Sequence, residues 1–356
     1  MKLFYKITHA IILALTLIIA LPLLGCGQRL QTVQKVDTAM GTIISQTLYV
    51  ATGTAVGRKT SETQNISEEI LSEIRELEEN YLSWRLESSE IYLINQTAGS
   101  NQEIILSHFL NTALNRCKEV HGASEGAFDF TVGRLARLWN IDKWAMEAQG
   151  FIPPTEAQIE EVLQYVGGDK CGIEGDTIQL PQGMQLDLGA VGKGIALDEI
   201  RAFLEQYKEV KGGVISVGGS ILTYGSKPDG GKWNVGIVNP MDTSRNIGIL
   251  QLSGNWCVST SGDYERYVEA EGIRYHHILN PVTGSPADSG VRSVTILTKS
   301  GLDSDALSTA CFVLGVEKGM ALAESFDAEA LFILEDGEMV MTEGMKQYFY
   351  LSKAGK

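Results

Sequence analysis

The stretch LDLGAVGKGIALDEI, residues 186–200, decides how this chain is read. Residues 184–188 alternate in the manner of a strand, and residues 195–203 carry apolar side chains at helical spacing. Gly189, Gly192 and Gly194 therefore fall in the turn at the start of a helix, with Lys193 among them. Such a turn presents free backbone N–H groups at the positive end of a helix dipole, and glycine lets a ligand approach the backbone closely. The lysine adds a full charge, so the residues suit an anion, phosphate best of all. Gly194 follows Lys193, which makes the pattern neither GxGxxG nor GxxxxGK[ST] and excludes the familiar dinucleotide and P-loop fingerprints. On these residues alone, a tight turn with a solvated lysine fits as well as a ligand site.

Outward from this unit, the chain is helical before it and rich in strands after it. A strand is expected at 42–50. Ile66, Ile70, Ile74 and Leu77 predict a helix over 65–82, with Asn65 and Glu68 as its capping box. Further helices are expected at 105–120 and, after Pro153 and Pro154, at 156–165. Short β signals bounded by glycine, proline or asparagine lie at 214–217, 233–238, 247–252, 273–279 and 291–297. A helix over 303–324 precedes a last strand at 330–334. No repeat or long linker divides residues 40–356, so one α+β domain is expected, in one lobe or two. A chain of 356 residues with 44% hydrophobic composition can bury a large core. Its formal charge of -15 repels nucleic acid over most of the surface, so nucleic acid is excluded as a partner and an anionic ligand needs a local positive site.

The N-terminus reads separately. Lys2 and Lys6 precede an apolar run over 10–24 that is short for a membrane span, so residues 1–25 read as an export signal. Leu23, Leu24, Gly25 and Cys26 resemble a bacterial lipobox. Cleavage before Cys26 would free a thiol and an amine for acylation, and firm anchoring needs more than one acyl chain. Residues 26–39 are then expected to tether the domain to the extracytoplasmic face of a bacterial membrane. Cys117, Cys171, Cys257 and Cys311 lie too far apart in sequence for zinc-type pairs and are given no chemistry.

Two further constellations carry chemistry. In GLDSDALSTACFVLG, residues 301–315, Asp305 and Thr309 share a helix face if the helix begins near Asp303. A carboxylate and a hydroxyl are hard oxygens suited to Mg²⁺, with a carbonyl, waters and a substrate phosphate completing the shell. Asp303, Ser304 and Asp305 suit a capped first turn equally well. Residues 258–286 crowd Ser259, Thr260 and Ser261 before Gly262, then run Tyr275, His276 and His277 into a turn at Asn280, Pro281 and Gly284. HExxH and GxSxG are absent, which excludes zinc-protease and α/β-hydrolase readings.

Taken in order, AMGTIISQTLYV, EGAFDFTVGRLARLWN, LDLGAVGKGIALDEI, ISVGGSILTYG, VSTSGDYERY, HHILNPVTGSP and DSDALSTACFVLG resemble the successive motifs of the FAD:protein FMN transferases, the ApbE-type flavin-transferring lipoproteins. The resemblance runs from about Met40 to Gly315 and implies a single ApbE-type, T-fold-like domain. It implies that, with Mg²⁺, the FMN half of FAD passes to a threonine or serine hydroxyl in an SGAT-like segment of a membrane or exported redox subunit, releasing AMP. Carried over residue by residue, Met40, Trp84, Ala127, Phe128, Asp129, Asp187 and Lys193 would hold FAD, and Ile278 would pack near the flavin. The Ala190 carbonyl, Asp305 and Thr309 would hold the metal. Breaking a diphosphate needs charge neutralisation, which Lys193 and a metal at Asp305 would supply. His277 is the expected proton acceptor for the incoming hydroxyl, with Asp263 or the departing phosphate as alternatives.

The chain departs from the family pattern at Phe130 and Arg134, where proline is usual, and at Ser220, where aspartate is common. It has no acceptor-like segment of its own, since HGAS at 121–124 lacks the upstream aspartate. A Mg²⁺-dependent FAD pyrophosphatase and a flavin-storing lipoprotein are the competing readings.

Overall fold

Eight strands form one sheet whose spatial order is their order along the chain. Numbering only the strands of this sheet, they are β1 (Arg29–Ala39), β2 (Thr42–Thr52), β3 (Val210–Val217), β4 (Ser220–Gly225), β5 (Trp256–Gly262), β6 (Val291–Thr298), β7 (Glu329–Leu334) and β8 (Met339–Met341). Every neighbouring pair is antiparallel. The computed structural model describes residues 29–52, 60–147 and 150–352, so the expected export signal and Cys26 lie outside the described residues.

The segment expected to be a tether is, from Arg29 onward, the edge strand β1. It pairs with β2 along its whole length, from Arg29↔Thr52 to Ala39↔Thr42. An edge strand needs few apolar residues and is commonly blunted with charge. Here only Val33 and Ala39 bury apolar side chains, and Lys35 pairs outward with Glu68, so RLQTVQKVDTA carries almost no hydrophobic signal. On β2 the pleat buries Ile44, Gln46, Leu48 and Val50 on one face and leaves Ile43 exposed, the alternation expected of a strand with one covered face.

Helices cover that face. Gly192–Glu205 and Gly301–Leu314 pack against each other and against β4, β5 and β6, sharing a core that includes Ile195, Leu197, Ile200, Ala306, Leu307 and Phe312. On the opposite face a three-stranded sheet, with Phe349–Leu351 and Trp233–Asn239 flanking Asp242–Leu252, closes a second core around Trp233, Leu250, Leu297 and Ile333. Strand β6 is buried on both sides, Ile296 in one core and Leu297 in the other. This is why VRSVTILT reads as a nearly continuous apolar run.

Between β2 and β3, residues 60–147 and 150–209 carry most of the helices among the described residues. A third cluster, built from Leu135, Trp139, Ile141, Ile159 and Val166 with Val268, forms the smaller lobe. It is fastened to the loop after His277 by the Trp139 indole, whose Nε1 donates to the Gly284 carbonyl at 2.7 Å.

Several boundaries differ from expectation for identifiable reasons. The first helix among the described residues spans Thr60–Leu77, so Asn65 and Glu68 lie inside it rather than forming its cap, and its last turn widens into a π-helical turn, Glu78–Leu82. The helix expected from residue 105 is His108–Ala123, with Ser107 accepting the Leu110 amide. Thr155 and Gln158 do form a full capping box for Glu156–Leu163. The long helix expected over 303–324 is two, Gly301–Leu314 and Val316–Ser325, broken at Gly315 with φ 77°. Residues 184–188 are extended but make only a single bridge, Gln185 to Val132, and the Asn95 amide takes the place of a strand partner. Its Oδ1 accepts the Leu186 N–H at 2.7 Å and its Nδ2 donates to the Leu186 carbonyl at 3.0 Å.

Candidate functional site

The turn that opens the sequence reading leads directly into the Gly192–Glu205 helix, with Val191 at the N-cap and no side chain of its own to satisfy the first amides. A carboxylate from another helix supplies the partner. Asp305, one turn into Gly301–Leu314, accepts the Gly194 N–H on Oδ2 at 2.7 Å, and the Ser220 hydroxyl donates to its Oδ1 at 2.6 Å. The exchange is mutual, because Asp198 accepts the Gly301 and Leu302 amides at 2.8 and 2.9 Å. Such close approach of two helix starts requires glycine at the crossing. A β-carbon on Gly194 would collide with the Gly301 carbonyl oxygen, and one on Gly301 with that of Gly194.

The capping reading of DSDALST does not hold for Asp305 on its own helix. The cap of Gly301–Leu314 is Ser300, which accepts the Asp303 amide, together with Asp198. Asp303 instead receives the Arg116 guanidinium in a bidentate pair at 2.7 and 2.8 Å, and Ser304 bonds Ser259. Asp305 is thus free of capping duty on its own helix. It is 97% buried at the side chain, while Lys193 beside it keeps 28% of its side-chain surface exposed. Their separation of 3.8 Å is too long for a hydrogen bond. The amide and the hydroxyl fix Asp305, and the ammonium group remains available to an anion.

The residues matched to a metal lie on or just before the two helices that meet here. Ala190 precedes the N-cap, one turn before the amide that Asp305 holds. Thr309 follows Asp305 on the next turn, with its hydroxyl 3.5 Å from that of Ser261, which in turn bonds Ser308 at 2.8 Å. All three offer hard oxygens, and a carboxylate oriented by two hydrogen bonds fits Mg²⁺. Among the described residues no group of three or more His, Cys, Asp and Glu is placed to hold a metal. A single carboxylate with neutral oxygens suits an ion that takes much of its shell from substrate phosphates and water.

Met40 sits over the same helix start. Met40 and Gly41, φ 52° and 67°, form the two-residue turn between β1 and β2, the type I′ geometry that twisted hairpins favour. A left-handed methionine is unusual, and the Glu78 carboxylate holds it by accepting its amide at 2.6 Å. The Met40 methyl lies 3.2 Å from where a β-carbon on Gly192 would be.

The other matched residues divide into two kinds. Asp187 lies on the glycine-turn side with the Gly189 amide on its Oδ1 at 2.8 Å. Burial pushes its carboxyl above the usual range, opposed by that amide and by Arg85 and Arg137. Trp84 stands nearby in contact with both arginines, at 4.3 and 4.8 Å from its ring centroid. By contrast, Ala127, Phe128, Asp129 and Ile278 are buried, and Phe128 and Ile278 belong to the main core. Deleting a ring such as Phe128 costs about 3–5 kcal/mol of stability, so any ligand role there falls to the backbone. Asp129 spends both oxygens internally, on Thr131 and on the Gly168 amide. It shapes the loop.

His276 ends the strand Ile273–His276, and His277 follows it. His276 is structural, its Nε2 at 3.0 Å from the Ala287 carbonyl and its Nδ1 accepting the Ile278 amide. In His277, Nδ1 lies 3.2 Å from the Arg266 carbonyl, which only a protonated Nδ1 can satisfy, so the Nε2 lone pair is free. Burial, then the nearby Arg266, His276 and Lys193, hold its pKa well below the ordinary histidine value against the pull of that carbonyl. It is neutral at pH 7. Asp263, the alternative base, is paired with Arg292 and Arg274. All four described cysteines are free and buried, with burial pushing Cys171 and Cys311 up to about 12.

Sequence reasoning passed over Asp198, whose role needs the helix crossing, and named Ser261 only as one of three crowded hydroxyls. It noted Ser220 only as a departure, yet that hydroxyl orients Asp305. A hollow of about 410 Å³ bordered by His121, Asp129, Asp169, Lys170 and Pro281 lies against the Asp129 loop and includes none of the metal-matched residues.

The model of the ApbE family matches residues 40–332. Over 328 residues the chain is 30% identical to the FAD:protein FMN transferase of Vibrio cholerae, covering 92% of this chain and 93% of that protein. It is 33% identical over 342 residues to the FAD:protein FMN transferase of Treponema pallidum, 90% of each chain being covered. The crystal structure of the ApbE protein from Thermotoga maritima superposes with a TM-score of 0.77 at 30% identity, covering 89% of this chain and 99% of that one. The apo flavinyl transferase ApbE of Pseudomonas stutzeri gives 0.77 at 26% identity, covering 92% and 99%.

Proposed function

The chain belongs to the ApbE family, and from that premise we propose that it is a FAD:protein FMN transferase acting through the Lys193–Asp305 junction. The observation that carries the assignment of the site is the clamping of Asp305 by the Gly194 amide and the Ser220 hydroxyl, beside a lysine left free for an anion. Asp305, Thr309 and the Ala190 carbonyl would hold Mg²⁺, which when bound supplies charge neutralisation to the diphosphate of FAD.

The chain's own groups then divide the work. Lys193 binds the diphosphate at the helix start, where the dipole and the remaining amides favour negative charge. Met40, Trp84 and Asp187 border the path of the nucleotide. The nucleophile is a threonine or serine hydroxyl of the acceptor. Its oxygen bonds the phosphorus of the FMN half, the bond from that phosphorus to the bridging oxygen breaks, and AMP leaves with the bonding pair. The hydroxyl proton goes to the free Nε2 of His277, which is neutral and able to take it.

Membrane placement is part of the same proposal and rests on Lys2, Lys6, the apolar run over 10–24 and Cys26. No helix among the described residues is long and apolar enough to cross a membrane. Cys26→Ala is expected to move the protein from the membrane fraction to the soluble one.

The decisive assay incubates the protein with FAD, Mg²⁺ and an acceptor carrying an SGAT-like segment. Covalently fluorescent acceptor with release of AMP is the expected result. FMN and AMP with unlabelled acceptor would replace transfer by hydrolysis, and intact FAD would reduce the protein to a flavin carrier.

A further inference from the structure

Near the glycine turn, Arg137 stands beside Trp84 and Asp187. It lies on the helix Gly133–Trp139, in the motif TVGRLARLWN. Its Nη2 is buried and has no hydrogen-bond partner, and no ion pair reaches the side chain from any described residue. The guanidinium lies 4.8 Å from the centre of the Trp84 ring. Burial draws its pKa below the ordinary arginine value, with Asp187 pulling the other way. A buried guanidinium donor without an acceptor is costly, so proteins rarely keep one that nothing will satisfy.

The backbone explains why Arg137 faces the site. Val132 bridges Gln185 in parallel, the Gly133 amide donates to the Gln185 carbonyl at 3.0 Å, and the Asp187 amide donates to the Phe130 carbonyl at 2.9 Å. A β-carbon on Gly133 would lie 2.8 Å from the Gln185 carbonyl oxygen, so glycine is needed for the two segments to run this close. The parallel pairing carries Arg137, one helical turn beyond Gly133, toward the end where Asp187 starts the glycine turn.

We infer that Arg137 is a substrate-binding residue, its guanidinium donating to an acceptor atom on a flat heteroaromatic ring of the bound dinucleotide, beside Trp84. A planar guanidinium against an indole forms a wall with a polar edge. That shape fits a ring bearing carbonyl or ring-nitrogen acceptors better than a tetrahedral phosphate, which Lys193 already serves. The adenine and isoalloxazine ends of FAD share this chemistry. The inference rests on the FAD reading above.

The test is equilibrium binding to the intact protein, followed by flavin fluorescence for FAD and FMN and by calorimetry for ADP. Arg137→Met keeps a long apolar stem on Trp84 and removes every donor. The variant is expected to bind FAD at least about tenfold more weakly, the loss typical of one hydrogen bond to a charged group. A matching loss with ADP alone places the adenine there, and a loss with FMN alone places the isoalloxazine. With acceptor present, KM for FAD should rise while kcat stays within about twofold, and Arg137→Lys should recover part of the affinity. Unchanged affinity for all three nucleotides in a folded variant overturns the inference and leaves the transferase reading standing. A wild-type protein that binds no FAD would instead overturn that reading itself.

Discussion

Asp198 and Asp305 are the same side chain on two helices that meet start to start, and their surroundings are opposite. Asp198 gives its oxygens to the Gly301 and Leu302 amides and lies against the Arg201 guanidinium on its own helix. Asp305 takes one amide and one hydroxyl and faces a half-free lysine across 3.8 Å. The first carboxylate is consumed by structure. The second is held in place with lone pairs to spare, which is what a metal-binding or anion-handling group requires. The difference shows how a capping interaction can fix a reactive group without using it up.

Mutating the pair should separate these roles. Asp305→Ala is expected to lower kcat/KM for transfer by about 10³-fold or more, the scale of losing a principal electrostatic element, with the far-ultraviolet dichroism unchanged. Activity within about tenfold of wild type would make the two carboxylates equivalent and end the distinction. Gly194→Ala attacks the crossing both depend on. The methyl group has only backbone to displace, and a loss of about 3 kcal/mol in urea denaturation is expected, at the upper end of overpacking costs. Asp198→Ala should show the reverse of Asp305→Ala, losing about 1–2 kcal/mol of stability, as for a lost helix cap, while kcat changes by less than about tenfold. Ser220→Ala should have the smallest effect, a drop of about tenfold in kcat with stability nearly intact, since the Gly194 amide still holds the carboxylate.

How much of this the sequence disclosed depends on whether the signal was local. The glycine turn, Lys193 and the i, i+4 pair Asp305 and Thr309 are local, and in the structure the turn, Lys193 and Asp305 meet, with Thr309 one turn further along the same helix. Residues whose meaning lies in a distant partner were illegible. Nothing near Asp198 announces that it caps a helix starting at Gly301, and nothing near Glu78 announces that it steadies Met40. Strand β1 was misjudged because an edge strand with one neighbour needs little apolar surface, and its pairing with β2 is fixed instead by the Met40–Gly41 turn. Segment 184–188 has a strand's pattern but finds its partner in the Asn95 side chain. Phe128 and Asp129, matched to ligand binding by resemblance, are held by the core and by their own loop.

The pH dependence sharpens the same contrast between structural and working groups, using His276 and His277. Burial holds both below the ordinary histidine pKa of about 6.5, so the folded protein binds fewer protons than the unfolded chain near pH 6. Stability is therefore expected to fall as pH drops through that range, a loss that His276→Gln should reduce. The transfer rate should be level around neutrality, with its acid limb below pH 6.5. An acid limb at or above that value in single-turnover assays would mean that His277 is not the proton acceptor.

The most direct measurement is a crystal of the protein with FAD and Mn²⁺, examined by anomalous scattering at the manganese edge. The account expects one peak in contact with the Asp305 carboxylate and the Thr309 hydroxyl, and the diphosphate of FAD within reach of Lys193. A manganese peak elsewhere, with Asp305 still satisfied only by Gly194 and Ser220, would contradict it.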